Sequence, residues 1–348
     1  MSERHLVVIE PGLLTTVQDL GRTGLLRFGV TTGGALDQAA LILGNRLVGN
    51  EPNAAGLEIT LIGPRLRVTA DVVMAVTGAD LGAVLNGSPV PGWQPIRARA
   101  GDELAFTPRV AMSGARAYLC FAGGIALPEV MGGRGTDLSG HFGGLDGRAL
   151  RPGDRMPIGE ASDRLDLLLR RRLAASPPVT ASDEPFRVVL GPQADRFTAA
   201  SVALLLSEPY TVSTKADRMG LRLTGPRLEH TAGADTISEG IHQGSIQVPG
   251  DGQPIALTRA RQTIGGYPKI ATIIGADLDR LGQRRPGDAM RFAAVEVGTA
   301  RCLTRAYRAR LGPEAVVTEP AAINARPLAA ETEQVRLGGC SSRRGSPT

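Results

Sequence analysis

The chain has 348 residues, 42% of them hydrophobic and 21% charged, which is ordinary for a soluble globular protein and long enough for about two domains. Glycine (45) and proline (24) make up about a fifth of it and aromatic residues only 3%, a balance that favours short strands and turns over a helical bundle. The net charge of +5 is dispersed outside Arg170–Arg172, Arg284–Arg285 and Arg343–Arg344, and few aromatics are present to stack on bases, so nucleic-acid binding is not expected.

Residues 5–10, "HLVVIE", read as a strand ended by Pro11-Gly12. The segment before them lacks the apolar core of a signal peptide, and no apolar run is long enough to cross a bilayer. A cytoplasmic protein without membrane contact is expected. The polar, glycine-rich "TTVQDLGRTGLLRFGVTTGG" follows. A helix fits 35–48, where Leu36, Ala39, Ala40, Leu43 and Leu47 recur at helical spacing and Gly49-Asn50 stops it. Then come short strand candidates: "GLEITLIG", "RLRVTA", "VVMAVTGA", "ELAFTP" and "RAYLCFAGG". The last holds Cys120, read as a buried thiol. Cys302 and Cys340 lie far from it, and the sparse, odd set suggests a reducing compartment.

A short helix, "SDRLDLLLRRRL", leads into a linker over 174–186 that separates a unit over 1–173 from one over 187–311. The second unit opens on the strand "FRVVLGP". Helices follow near 194–207, over 276–282 and over 296–311. The tail 325–348 is expected to be disordered. "RARAGDELAF", "RALRPGDRMPI" and "QRRPGDAMRF" share a basic-Gly-Asp turn before a strand, and "ITLIGPRLRV" matches "LRLTGPRLEH". Together they favour duplicated β units, although the spacing is too irregular for a solenoid.

Chemistry is sparse. There is no GxxxxGK[ST] or GxSxG, and the four histidines are isolated, so no metal site is expected. In "TTVQDLGRTG", Thr16, Gln18, Asp19 and Arg22 either close a turn or face a ligand. "GGRGTDLSG" offers Arg134 and Thr136 between glycines, where backbone approach is close and Arg can grip a carboxylate. "KADRMGLRL" offers Asp217 and Arg218, or else a surface ion pair. The richest stretch is "IHQGSIQVPGDGQPIALTRARQTIGGYPKIA". A glutamine amide both donates and accepts, the complement of a lactam, a urea or a ureido ring. Gln243 and Gln247 fall on one face of a strand, and Gln262, Thr263 and Tyr267 form an adjoining loop with Lys269. A structural hairpin with exposed glutamines is the competing reading.

These motifs, in this order over roughly residues 6–293, resemble the biotin-dependent carboxyltransferase family. That family includes the C subunit of 5-oxoprolinase, the antagonist of a sporulation-kinase inhibitor, and the carboxyltransferase region (allophanate hydrolase subunit 2) of urea carboxylase. The resemblance implies a mainly β fold with flanking helices, built as two cyclophilin-like β-barrel units. It implies one component of an ATP-dependent complex converting 5-oxoproline to glutamate. The partners would be a companion of the 5-oxoprolinase B-subunit type, similar to kinase inhibitors, and an A subunit of the lactam-utilisation type. ATP would be used by the complex, no cofactor would be bound covalently, and biotin would enter only on a carrier supplied in trans. Carboxyl transfer to urea or a related amide, or a non-catalytic antagonist role, are the alternatives. On this reading Asp217, Arg218 and Lys269 are catalytic. Gln243, Gln247, Gln262, Thr263, Tyr267, Arg134, Thr136, Asp19 and Arg22 bind the substrate. Gly133, Gly135, Ala260 and Ile264 depart from the family pattern and leave the exact substrate open.

Overall fold

Alternation along two strands explains how the first half is layered. In Val72–Gly78, Val72, Met74 and Val76 enter one core while Val73 and Ala75 enter another; in Arg116–Phe121, Leu119 and Phe121 face the first and Tyr118 and Cys120 the second. Side chains on a strand alternate faces, so a strand buried on both sides must lie between two layers. One layer is a barrel interior; the other is helix α1 (Gln38–Leu47). Within α1, a side chain at Gly44 would come 2.8 Å from Cys120 Sγ and 2.9 Å from Thr77 Oγ1, so glycine sets how closely helix and sheet approach.

The chain is described here from a computed structural model that covers residues 4–107, 113–178 and 182–320. The first barrel pairs a six-stranded sheet with a five-stranded one. The six run in the order Arg155–Pro157, His5–Glu10, Arg65–Val68, Glu103–Phe106, Ala83–Leu85 and Ser88–Pro89. The five run Leu14–Gln18, Gly56–Thr60, Arg116–Phe121, Val72–Gly78 and Pro95–Ala98, antiparallel throughout. Leu6, Val8, Leu66 and Leu104 of the one meet Val17, Leu57, Ile59 and Met74 of the other.

The second half is one eight-stranded sheet in the order Ala289–Met290, Tyr210–Val212, Gly220–Thr224, Ile255–Leu257, Ser245–Gln247, Lys269–Ile273, Phe186–Leu190 and Phe292–Ala294. Its two edge strands are separated in sequence by Arg291 alone, so the sheet must curl until its edges almost meet. All pairs are antiparallel except the last, Phe186 beside Phe292. Phe186, Tyr210, Leu223, Ile246, Ile270 and Phe292 fill the interior. The mainly β class expected from the sequence is what the chain adopts.

The basic-Gly-Asp repeats are the same turn three times. Arg99, Arg151 and Arg285 donate their backbone N–H to the carboxylates of Asp102, Asp154 and Asp288 at 2.7, 2.7 and 2.9 Å. Gly101, Gly153 and Gly287 sit at φ of 91°, 87° and 91°, the left-handed region the third turn position requires. Each glycine N–H then bonds a valine carbonyl on a neighbouring strand, Val68, Val8 or Val212, at 2.8 Å.

Helices α3 (Ala199–Ser207), α4 (Leu278–Gly282) and α5 (Val297–Ala309) fall where spacing predicts helices. The "SDRLDLLLRRRL" helix is shorter than expected. Only α2 (Leu165–Leu168) is helical, because Arg171–Leu173 pairs instead with Val316–Thr318. The tail 325–348, with Cys340, and linker residues 179–181 lie outside the described residues. No helix among the described residues is long and apolar enough to cross a membrane.

Candidate functional site

The halves meet through buried charge. Glu58, in the Gly56–Thr60 strand, points away from Leu57 and Ile59 and out of the first barrel. Its Oε1 pairs with Arg218 of the second half and lies 3.8 Å from Arg116 Nε. Its Oε2 accepts from Tyr118 Oη and from the Leu36 N–H, both at 2.8 Å. Arg218 also donates to the Gly34 carbonyl at 2.7 Å. Burial, then the nearby Arg259 charge, pulls Arg218 down to about 10, still protonated at neutral pH. Gln283 donates to Asp37 Oδ2 at 2.7 Å and to the Arg116 carbonyl at 2.9 Å, and accepts the Arg116 N–H at 2.9 Å.

Asp37 caps α1 through the Ala40 N–H at 2.9 Å, and Asp279 of the second half accepts the next N–H groups, Gln38 at 2.8 Å and Ala39 at 3.3 Å. Of these two carboxylates at one helix start, Asp37 is buried and Asp279 partly so. Burial, reinforced by the Asp279 charge, raises Asp37 to about 7, and burial raises Asp279. A raised carboxyl pKa means that the folded chain keeps a proton the unfolded chain has released. The stability this pair contributes is therefore complete below the ordinary carboxyl pKa of 3.8 and is lost as pH rises through about 7. Urea midpoints of the wild type are expected to fall between these limits, and Asp279→Asn to flatten that fall. Parallel pH profiles for the two proteins would exclude this origin.

Beside this seam lies a cleft of about 540 Å³, walled by Thr31, Thr136, Asp137 and Arg116 from the first half and by Asp217, Arg218 and Ala260 from the second. Its first-half wall is the glycine-rich loop over 130–144, gathered around Arg22. Arg22 Nε donates to the Val130 carbonyl at 2.9 Å and Nη2 to the carbonyls of Gly133 and Gly135 at 3.3 and 2.7 Å. Phe142 lies against the guanidinium at 4.8 Å. Burial lowers the Arg22 pKa, opposed by Asp19 and then Asp137. Asp19 closes its own turn through the Gly21 N–H at 2.8 Å and takes the Arg134 N–H at 2.6 Å, so the turn is formed and its carboxylate also holds the glycine-rich loop. Three buried atoms here have no hydrogen-bond partner among the described residues: Arg22 Nη1, Gln18 Oε1 and Thr136 Oγ1. A buried polar group without a partner carries a penalty of about 1–3 kcal/mol, which a bound water or ligand removes.

The sequence-selected residues fall in three places. Thr136, Asp217 and Arg218 line the cleft, with Asp19 and Arg22 behind its wall. Asp217 does not orient Arg218; its Oδ1 accepts the N–H groups of Met219 and Gly220 at 2.7 and 3.1 Å. Arg218 is committed to Glu58. Arg134 is turned outward to Glu129 at 2.8 Å and the Leu127 carbonyl at 2.8 Å. Gln247 and Gln262 come together elsewhere, over Gly265, where a side-chain carbon would sit 2.9 and 3.2 Å from their amide nitrogens. Gln247 donates to the Tyr267 carbonyl at 3.4 Å, and the Thr263 carbonyl accepts from the Ile241 N–H at 3.1 Å. Lys269 Nζ lies 2.5 Å from Glu239 Oε1 in a close ion pair. Hydrogen bonds from Lys269 and Gln193 hold Glu239 below the usual carboxylate range. Gln243 is in the third place, a separate cavity against α1 and α5. Glu58, Arg116 and Gln283 were not selected from sequence. The one available signal was a charge inside an apolar strand, Glu58 in "GLEITLIG" and Arg116 in "RAYLCFAGG".

Two β-barrel units flank a cleft lined by both charged and apolar side chains, within a mainly β architecture. Residues 28–294 match the family model for the carboxyltransferase domain, subdomain A and B, and the chain belongs to that family. It is 41% identical over 303 residues to the C subunit of 5-oxoprolinase from Escherichia coli (strain K12), covering 85% of this chain and 93% of that protein. It is 33% identical over 325 residues to urea amidolyase of Lachancea kluyveri, covering 87% of this chain and 18% of that protein. The crystal structure of the K. lactis urea amidolyase superposes with a TM-score of 0.78 at 30% identity, over 88% of this chain and 20% of that one.

Proposed function

We propose that the chain is the C subunit of a 5-oxoprolinase and that the interdomain cleft takes the lactam. The observation that carries this reading is the higher identity, 41% to the 5-oxoprolinase relative against 33% to the urea amidolyase relative. The chemistry of the cleft supports it. A lactam with a carboxylate needs a cation, a donor and an acceptor, and the cleft lining includes Arg284, the unpartnered Thr136 hydroxyl and the Asp137 carboxylate, with Arg22 and Gln18 behind it. This chain binds and orients the lactam. ATP use falls to two companions, a B subunit of the kinase-inhibitor type and an A subunit of the lactam-utilisation type.

The convergent amides of Gln247 and Gln262 favour a second reading, carboxyl transfer to urea or a related amide. Donor and acceptor together suit a ureido ring, so these two residues would hold biotin, which supplies carboxyl-carrier chemistry when a carrier brings it in trans.

The test mixes this chain with its two companions and measures ATP-dependent glutamate formation from 5-oxoproline, omitting each component in turn. Product is expected to vanish without this chain. Full-rate product in its absence overturns the reading. Gln262→Ala separates the two loci: normal turnover keeps the lactam in the cleft, while lost turnover with an unchanged melting temperature moves it to the glutamine pair. Product from no mixture, with a tight complex to the B-type companion, selects the antagonist role.

A further inference from the structure

A second cavity, of about 330 Å³, opens where α1 of the first half faces α4 and α5 of the second, and it shares no lining residue with the cleft. Three arginines converge on it from three elements: Arg46 from α1, Arg259 from the segment after the Ile255–Leu257 strand, and Arg308 from α5. Such a concentration of like charge in a recess needs an answering anion. Among the described lining residues only Asp279 answers it, one carboxylate against three guanidinium groups. Among the described residues the Arg259 guanidinium makes no hydrogen bond and no ion pair, although it is only partly exposed. Burial lowers its pKa to about 10; Asp279 opposes this, and the charges of Arg261 and Arg308 add to it.

Asp279 is the one carboxylate lining the cavity, and its oxygens are already engaged. They accept the Gln38 and Ala39 N–H groups and the Tyr307 hydroxyl, the last at 2.8 Å. Arg46 spends Nε on the Leu311 carbonyl at 3.0 Å and leaves its terminal nitrogens for the cavity. The Gln243 side-chain amide, also on the wall, makes no hydrogen bond to a described residue. Guanidinium groups from several directions with an amide beside them match an anion that carries more than one negative oxygen.

We propose that this cavity is a binding site for a dianionic oxyanion of the phosphate class, held by Arg259 and Arg308 with Arg46 and Gln243 completing the ring. It stands apart from the lactam reading of the cleft and does not depend on it.

Calorimetric titration of the full chain with inorganic phosphate at low ionic strength tests it. Saturable binding at one site is expected, weakened about 10-fold or more by Arg259→Gln, because a charge-assisted contact in a recess is worth at least that factor. The Arg259 side chain makes no hydrogen bond to a described residue, so this variant is expected to keep the wild-type melting temperature. If it does not fold, Arg308→Gln on the exposed face of α5 carries the test with a smaller weakening. Parallel titration with succinate separates phosphate from a dicarboxylate. The proposal is overturned by absence of saturable phosphate binding, by equal binding in both arginine variants, or by tighter binding of succinate.

Discussion

Glu58→Ala is expected to destabilise the chain by about 3–5 kcal/mol, the range for breaking a buried ion pair by removing one partner. The magnitude follows from what the carboxylate holds. Glu58 answers two buried arginines, the Tyr118 hydroxyl and the Leu36 N–H, so its loss leaves two cations without an answering charge and two donors without this acceptor. Arg218→Ala is expected to do less. Glu58 would keep Arg116, Tyr118 and Leu36, and the Gly34 carbonyl would be the one further acceptor to lose its Arg218 bond. The order Glu58→Ala above Arg218→Ala therefore separates a hub from a spoke. Urea unfolding of both singles and the double gives the coupling; contacting residues in one network are expected to couple by about 0.5–3 kcal/mol. A Glu58→Ala effect below about 1 kcal/mol, the value of an exposed pair, would mean that the seam is wet and the halves are held by their apolar contacts instead.

The elements were largely legible in the sequence, and the seam between them was not. Helix α1 was readable because five apolar residues recur at helical spacing and Gly49-Asn50 stops it. The three Gly-Asp turns were readable because their chemistry is local: one carboxylate, one N–H three residues back, one glycine between. Glu58 shows the opposite case. Its partners are Tyr118 across one strand ladder, Thr16 across the other and Arg218 from the other barrel, none of them near it in sequence. The α2 segment shows the same limit from the other side. Its helical pattern is real, but the strand Val316–Thr318 claims Arg171–Leu173 and tertiary pairing overrides local preference. The glutamine stretch read as a single site because period-two alternation places Gln243 and Gln247 on one face. Gly244 sits at φ 85° between them and turns the chain, so Gln243 leaves that face for another cavity.

Arg22→Met is expected to lower kcat/KM for 5-oxoproline in the assembled complex by about 100-fold, the scale of a misplacement near 1 Å at a binding group. Arg22 is the fastener of the cleft wall. Its fork draws the carbonyls of Val130, Gly133 and Gly135 to one point, and the loop so held presents Thr136 and Asp137 to the cleft. A lysine has one charged nitrogen and no fixed fork, so Arg22→Lys is expected to fail nearly as badly despite its charge. Both changes remove buried hydrogen bonds and are expected to lower the melting temperature. Thr136→Val supplies the contrast. The Thr136 hydroxyl has no partner among the described residues, so its removal should leave stability intact or raise it, while lactam turnover falls about tenfold for one lost hydrogen bond. A stable Thr136→Val variant with lower turnover would mark a hydroxyl kept for a ligand. Equal turnover would make the orphaned hydroxyl a water site and leave Arg22 a purely structural clasp. The two variants together thus distinguish a wall that merely shapes the cleft from one that touches what enters it.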